Sequence, residues 1–261
     1  ATPSLGNVVM LYPWQQQDWL RITQERSRLP NAWLLTGKVG IGKRAFASYL
    51  AQWLLCDRST SATVPCHQCE SCHWFLSSTH PDLRRLAPMI EEDDKEGKRV
   101  RKLPIITIEA VREVMEFVSL TSHRGGLRVI LVESADALNM AAANALLKSL
   151  EEPPSGTVFV LVTAMAQRLL PTLRSRCRPF VLTAPDTQQA LAWLKQRGIE
   201  NPEAELAHHH GAPLFDYDPA QARLRHSFLK NLAHLSLGGY VVLSDELDKH
   251  RLSLAMPVKW L

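Results

Sequence analysis

Four cysteines fall in one short stretch, Cys56, Cys66, Cys69 and Cys72, spaced C-x9-C-x2-C-x2-C. Four thiolates so placed suit a tetrahedral zinc ion with closed coordination, the C-x2-C steps letting two sulfurs from one turn reach the same ion. His67, between the cysteines, and His73, just after the last, compete as ligands, but four sulfurs complete the set without a histidine. A filled set leaves no open position for catalysis, so the module reads as a staple for a loop that cannot pack alone. Direct contact of this module with DNA is the weaker reading.

A second stretch could handle phosphate. Gly37, Gly40, Gly42 and Lys43, in the run GKVGIGKR, follow an apolar strand and open a helix. In such loops the glycines let backbone N–H groups turn toward phosphate oxygens, the lysine neutralises charge, and a following Ser or Thr hydroxyl holds magnesium. Arg44 stands where that hydroxyl belongs. A guanidinium is a fixed cation with no lone pair to give a metal. A hydrolysing site would also place Asp and then Glu after the strand 128–132, whereas this chain has Glu133 and Ser134. Two altered parts, far apart in sequence, point to a phosphate loop kept for its shape, with no ATP bound productively; the alternative is an active ATPase.

The elements that must position these residues show as short apolar runs alternating with helical patterns. The runs are 32–36, 82–86, 127–133, 157–162 and 179–182, and the helical patterns between them are 45–55, 108–120, 137–150 and 168–174. That alternation predicts crossover units, and so an α/β domain over 10–182 with a mostly parallel sheet covered on both faces. Thr107 is the expected N-cap of the helix from Ile108. Segment 91–102, almost wholly charged, reads as a solvated loop. Residues 1–9 read as an extension outside the fold, 183–217 as a small helical domain, and 218–261 as the start of another helical domain.

Composition sets outer bounds. With 261 residues, 46% hydrophobic and 21% charged, the chain is long enough for more than one domain and balanced like a globular protein. A net charge of +4 is too small to mark a tight nonspecific DNA binder. No apolar run approaches the roughly 20 residues that cross a bilayer, which reads as cytoplasmic and without a membrane partner.

The run 142–154, AANALLKSLEEPP, followed by Leu173-Arg174-Ser175-Arg176-Cys177, resembles the signature of bacterial clamp-loader subunits, the AAA+ family that serves DNA polymerase III. With the inserted cysteine cluster the resemblance covers nearly the whole first domain. Arg44, Glu133 and Ser134 resemble the delta-prime branch, in which the phosphate loop is damaged. The resemblance implies a RecA-like AAA+ base, a helical lid and a helical collar that joins five subunits in a ring, with gamma/tau motor subunits and delta as neighbours. It implies work on the sliding clamp and primed DNA through that assembly. It implies that Arg176 reaches the ATP of an adjacent motor subunit in trans, whereas composition alone makes Arg174, Arg176 and Arg178 a solvated basic strip. Where an active subunit's lid carries a sensing arginine, this chain has Gly211-Ala212-Pro213-Leu214-Phe215. Thr163 falls at the family's polar sensor position.

Overall fold

The computed structural model describes residues 10–24, 29–59, 64–89, 104–119 and 126–233. The expected extension 1–9, the charged segment 91–102 and the chain beyond 233 lie outside these residues. Two compact units divide at residues 185 and 186.

The first unit is built on five strands, β1 (Ala32–Thr36), β2 (Leu83–Leu86), β3 (Arg128–Val132), β4 (Thr157–Val162) and β5 (Arg178–Val181). All pairings are parallel and the order across the sheet is β2-β3-β4-β1-β5. Strands buried on both faces need no polar alternation, which is why β3 and β4 read as unbroken apolar runs. Alternate side chains still divide between two cores. Trp33, Leu35, Val129, Leu131, Val158 and Val160 pack on one face with Trp19, Phe46, Leu50 and Trp53. Leu34, Ile130, Val132, Phe159 and Leu161 pack on the other with Val111, Val114, Leu146 and Leu173. The expected α/β class, a parallel sheet with helices on both faces, is the one observed.

The helices of this unit are α1 (Gln16–Thr23), α2 (Lys43–Leu55), α3 (Glu70–Leu76), α4 (Ile108–Ser119), α5 (Met140–Glu151) and α6 (Pro171–Arg174). Alpha1 was not foreseen, because its sequence is polar at most positions. It is held by a buried carboxylate, Asp18, which accepts from the Thr183 N–H at 2.7 Å and the Thr183 hydroxyl at 3.0 Å. The helix expected over 137–150 is shorter at its start. A 3-10 turn at Ala135–Ala137 comes first, and Leu138 is extended. Ile106 causes the break: its N–H donates to Ala137 O at 2.8 Å and its carbonyl accepts from Asn139 N at 3.2 Å, which diverts the backbone from helical pairing. Asn139 then restarts the helix as N-cap, accepting from Ala142 N at 2.8 Å.

The second unit contains α7 (Thr187–Gln196), α8 (Pro202–His208) and α9 (Pro219–Ala233). Asp186 and Gln189 form a capping box at the start of α7. Ala190, Leu194 and Leu206 form a small apolar centre, and a buried Arg225–Glu205 ion pair ties α9 to α8. Among the described residues no helix is long and apolar enough to cross a membrane.

Replacing Asn139 with Ala should cost about 1 kcal/mol through loss of the cap, read as a lower urea midpoint with an unchanged m-value. An unchanged midpoint would show that the Ile106 contacts alone set the start of α5.

Candidate functional site

Beta1 delivers the glycine loop at its carboxyl end, the place where ligands sit in open parallel sheets, and α2 starts at Lys43 with Gly42 as its N-cap. Gly42 has φ +88°, and a Cβ there would lie 2.4 Å from the Tyr12 ring. Both the left-handed backbone and the close ring therefore demand glycine. The segment before α1 closes on this loop. Trp14 Nε1 and Gln15 Nε2 each donate to Ile41 O at 3.0 Å, and Gln15 Nε2 also donates to Gly42 O at 3.1 Å.

Lys43 does not project from the loop. Its Nζ donates to Gly37 O at 3.0 Å and to Lys38 O at 2.5 Å, and the residue is only 8% exposed. Burial lowers its pKa; Asp136 opposes that shift and Arg44 adds to it. The ammonium thus cross-links two carbonyls of its own loop.

The two altered positions meet. Arg44, on the first turn of α2, donates from Nε to Glu133 O at 3.3 Å and from a terminal nitrogen to Ser134 Oγ at 3.0 Å. Sequence reasoning singled out Arg44, Glu133 and Ser134 one by one, and the sheet brings them together because β3 and β1 both end at this edge of the fold. Two further residues were missed. Arg85, at the end of β2, donates to Ser48 Oγ at 3.0 Å and to Glu133 Oε1 at 3.3 Å, so the Glu133 carboxylate is met by a cation. Asp136 accepts from the Thr163 hydroxyl at 2.6 Å, while that hydroxyl accepts from Met165 N at 2.9 Å. Thr163 is buried and both its hydrogen-bonding roles are used within the chain. Nothing in local sequence flags Arg85, which lies in an ordinary strand. Asp136 could have been suspected from its place just past a buried strand.

Arg176 follows α6, a single turn opened by Pro171 and anchored by the fully buried Leu173. One terminal nitrogen donates to Thr172 O at 2.7 Å, and the other pairs with Glu151 Oε1 at the end of α5. Both partners lie on α5 and α6, away from the glycine loop. Cys177 beside it is buried, and burial pushes its thiol up to about 11, which makes it an unreactive packing group. Arg178 instead lies over the Trp33 ring, 5.6 Å from its centroid.

Alpha2 ends on Cys56 and α3 begins on Cys69 as its N-cap, so two helix ends face each other across the cysteine module. The sulfurs of Cys56, Cys66, Cys69 and Cys72 all lie within 4.8 Å of one another, with 56–69 and 66–72 at 3.9 Å. Zinc–thiolate bonds near 2.3 Å in a tetrahedron place sulfurs about 3.8 Å apart, so the set has room for one such ion. Backbone N–H groups also point at sulfur: Cys66 N to Cys56 Sγ at 3.5 Å, Cys69 N to Cys66 Sγ at 3.3 Å and Cys72 N to Cys69 Sγ at 3.4 Å. Such donors favour the thiolate form a metal requires. The cysteines form no disulfide, and the geometry is that of a group able to hold a metal ion. His67 is not in the set; its Nδ1 lies 3.2 Å from Gln52 Nε2. Ser71 donates to Leu55 O at 2.5 Å and meets His80 Nε2 at 2.8 Å, while Asp82 N donates to His80 Nδ1 at 3.0 Å. With Nδ1 accepting, Nε2 carries the proton and donates to Ser71, and this chain ties the module to β2.

A family model described as DNA polymerase III, delta subunit, matches residues 15–186. The DNA polymerase III subunit delta′ of Pseudomonas aeruginosa is 40% identical over 208 residues, which is 78% of this chain and 60% of that protein. Its counterpart in Escherichia coli, also named subunit delta′, is 37% identical over 198 residues, 75% of this chain and 56% of that protein. The Haemophilus influenzae protein of the same name is 34% identical over 216 residues, 81% of this chain and 62% of that protein. This chain therefore spans about 60% of the length of the relatives it matches. The match runs from α1 through the glycine loop, the cysteine module and the Arg176 turn to the end of the first unit, and the chain belongs to the DNA polymerase III delta-subunit family.

Proposed function

We propose that this chain acts in the cytoplasm as the delta-prime subunit of a clamp loader, one that hydrolyses no ATP itself and lends Arg176 to the nucleotide of a neighbouring motor subunit. The observation that carries the reading is the Arg44 guanidinium bonded to both Glu133 O and Ser134 Oγ. A metal ion bound to the phosphates of a nucleotide here would have to share that place with a fixed cation, and no Ser or Thr hydroxyl follows Lys43 to hold it. The same reading places the chain in a ring of five subunits with gamma/tau and delta as neighbours, loading the sliding clamp on primed DNA, and assigns 183–217 to a lid and 218–261 to a collar.

Arg176 suits the trans role by its place on an exposed turn and by the chemistry of its side chain. A guanidinium delivered to a transferring phosphoryl group stabilises the charge that develops there. In the cysteine module the ion we assign is structural zinc, held by Cys56, Cys66, Cys69 and Cys72, supplying cross-linking and no reaction chemistry.

ATP turnover by the isolated protein should be absent. In a reconstituted complex, Arg176→Ala should lower turnover about a thousandfold at the one site it serves, the scale seen for arginines delivered in trans. Robust magnesium-dependent hydrolysis by the isolated chain, or full turnover by the Arg176→Ala complex, would sink the reading.

If the glycine loop is kept for shape, Lys43→Ala removes the donor to two loop carbonyls and should destabilise the isolated protein by about 1–3 kcal/mol, measured by urea unfolding. Wild-type stability in that variant would mean that Lys43 is still reserved for a ligand.

Metal analysis of protein purified without chelators should give one zinc per chain. Metal removal should lower Tm, and affinity should fall as pH drops because protons compete for the thiolates. Metal-free protein with an unchanged Tm would refute the zinc assignment.

A further inference from the structure

Arg176 is held by its own chain. Its two terminal nitrogens are engaged separately, one by Thr172 O at 2.7 Å and the other by the Glu151 carboxylate, and its Nε is buried with no hydrogen-bond partner among the described residues. A guanidinium has five N–H donors in a rigid plane. Two of them are tied down on the chain and the Nε is buried, which leaves one N–H on each terminal nitrogen to meet a ligand. The Arg176 side chain keeps 30% of its surface exposed and that of Glu151 keeps 47%. The pair therefore lies at the surface, where another subunit's ligand has access.

The position of Glu151 is itself well determined. It ends α5, whose Leu146 and Leu150 are buried in the core, and α5 starts at a fixed cap on Asn139. Thr172 lies in the turn anchored by Leu173. Two rigid anchors on different elements fix the plane of a side chain that otherwise has several rotatable bonds, and such preorganisation matters for a group that must meet a phosphoryl oxygen within a fraction of an ångström.

We infer that Glu151 is a positioning residue for Arg176: by accepting from one terminal nitrogen it sets the guanidinium plane so that the free N–H pair faces the triphosphate of the adjoining subunit. The inference rests on the trans role of Arg176 and adds the residue that aims it. Glu151 also partly offsets the arginine's charge before assembly. The contact is semi-exposed, and an exposed ion pair adds little to folding stability. The effect of Glu151 should therefore appear in turnover and not in stability.

The test is steady-state ATP hydrolysis by the complex reconstituted with the full-length protein, with the other ATP sites of the ring inactivated. Glu151→Ala should lower kcat about tenfold, as expected for a misplaced catalytic group, with KM for ATP within twofold of wild type and Tm unchanged. Glu151→Gln, which keeps an acceptor oxygen, should fall between wild type and Glu151→Ala. In an Arg176→Ala background, Glu151→Ala should have no further effect. A Glu151→Ala complex at or above the wild-type rate, a loss that persists without Arg176, or a Glu151→Gln complex no better than Glu151→Ala would each overturn the positioning role. Full turnover by Arg176→Ala alone would instead overturn the trans reading on which it rests.

Discussion

A single side chain bridges the end of β3 and the start of α2: the Arg44 guanidinium donates to both Glu133 O and Ser134 Oγ. In a hydrolysing site the start of the helix and the end of the strand are bridged by a divalent cation. Here a side chain makes the bridge. Repulsion between a guanidinium and a divalent ion a few ångströms away is on the order of several kcal/mol even at an effective dielectric near 20, so the two are close to exclusive. Lys43 is also engaged within the chain, its ammonium donating to the Gly37 and Lys38 carbonyls.

The loop is braced by side chains that donate to its carbonyls. Its carbonyls accept from Trp14, Gln15 and Lys43, and Gly42 leaves room for the Tyr12 ring. Arg176 is at a different place, on the turn after α6, where Glu151 and Thr172 hold it. The cysteine module, clamped between the ends of α2 and α3, contributes to neither place directly and stabilises the far end of α2.

Much of this was legible from the order of residues. The unbroken apolar runs of β1, β3 and β4 mark strands buried on both faces, and their alternation with helical patterns specifies a parallel sheet. The glycine loop, the cysteine spacing and the run ending in Glu151 and Glu152 are local patterns, readable because each needs particular residue types at fixed separations. Less local features were hidden. Alpha1 is stabilised by Asp18 reaching Thr183, and the break before α5 is imposed by Ile106, contacts between segments far apart in the chain that no periodicity reports.

The sequence alone determined which groups are present and which are missing: a lysine without its hydroxyl neighbour, a strand end without its aspartate, four thiols spaced for one ion, an arginine in a family turn. Only the tertiary structure decided where their charges go. Strands brought Arg44 and Ser134 together across 90 residues, and packing turned Glu151 toward Arg176 across 25. Hydrogen bonding and charge pairing depend on distance and direction in space, and these are settled by how the sheet and helices pack, not by the order of residues along the chain.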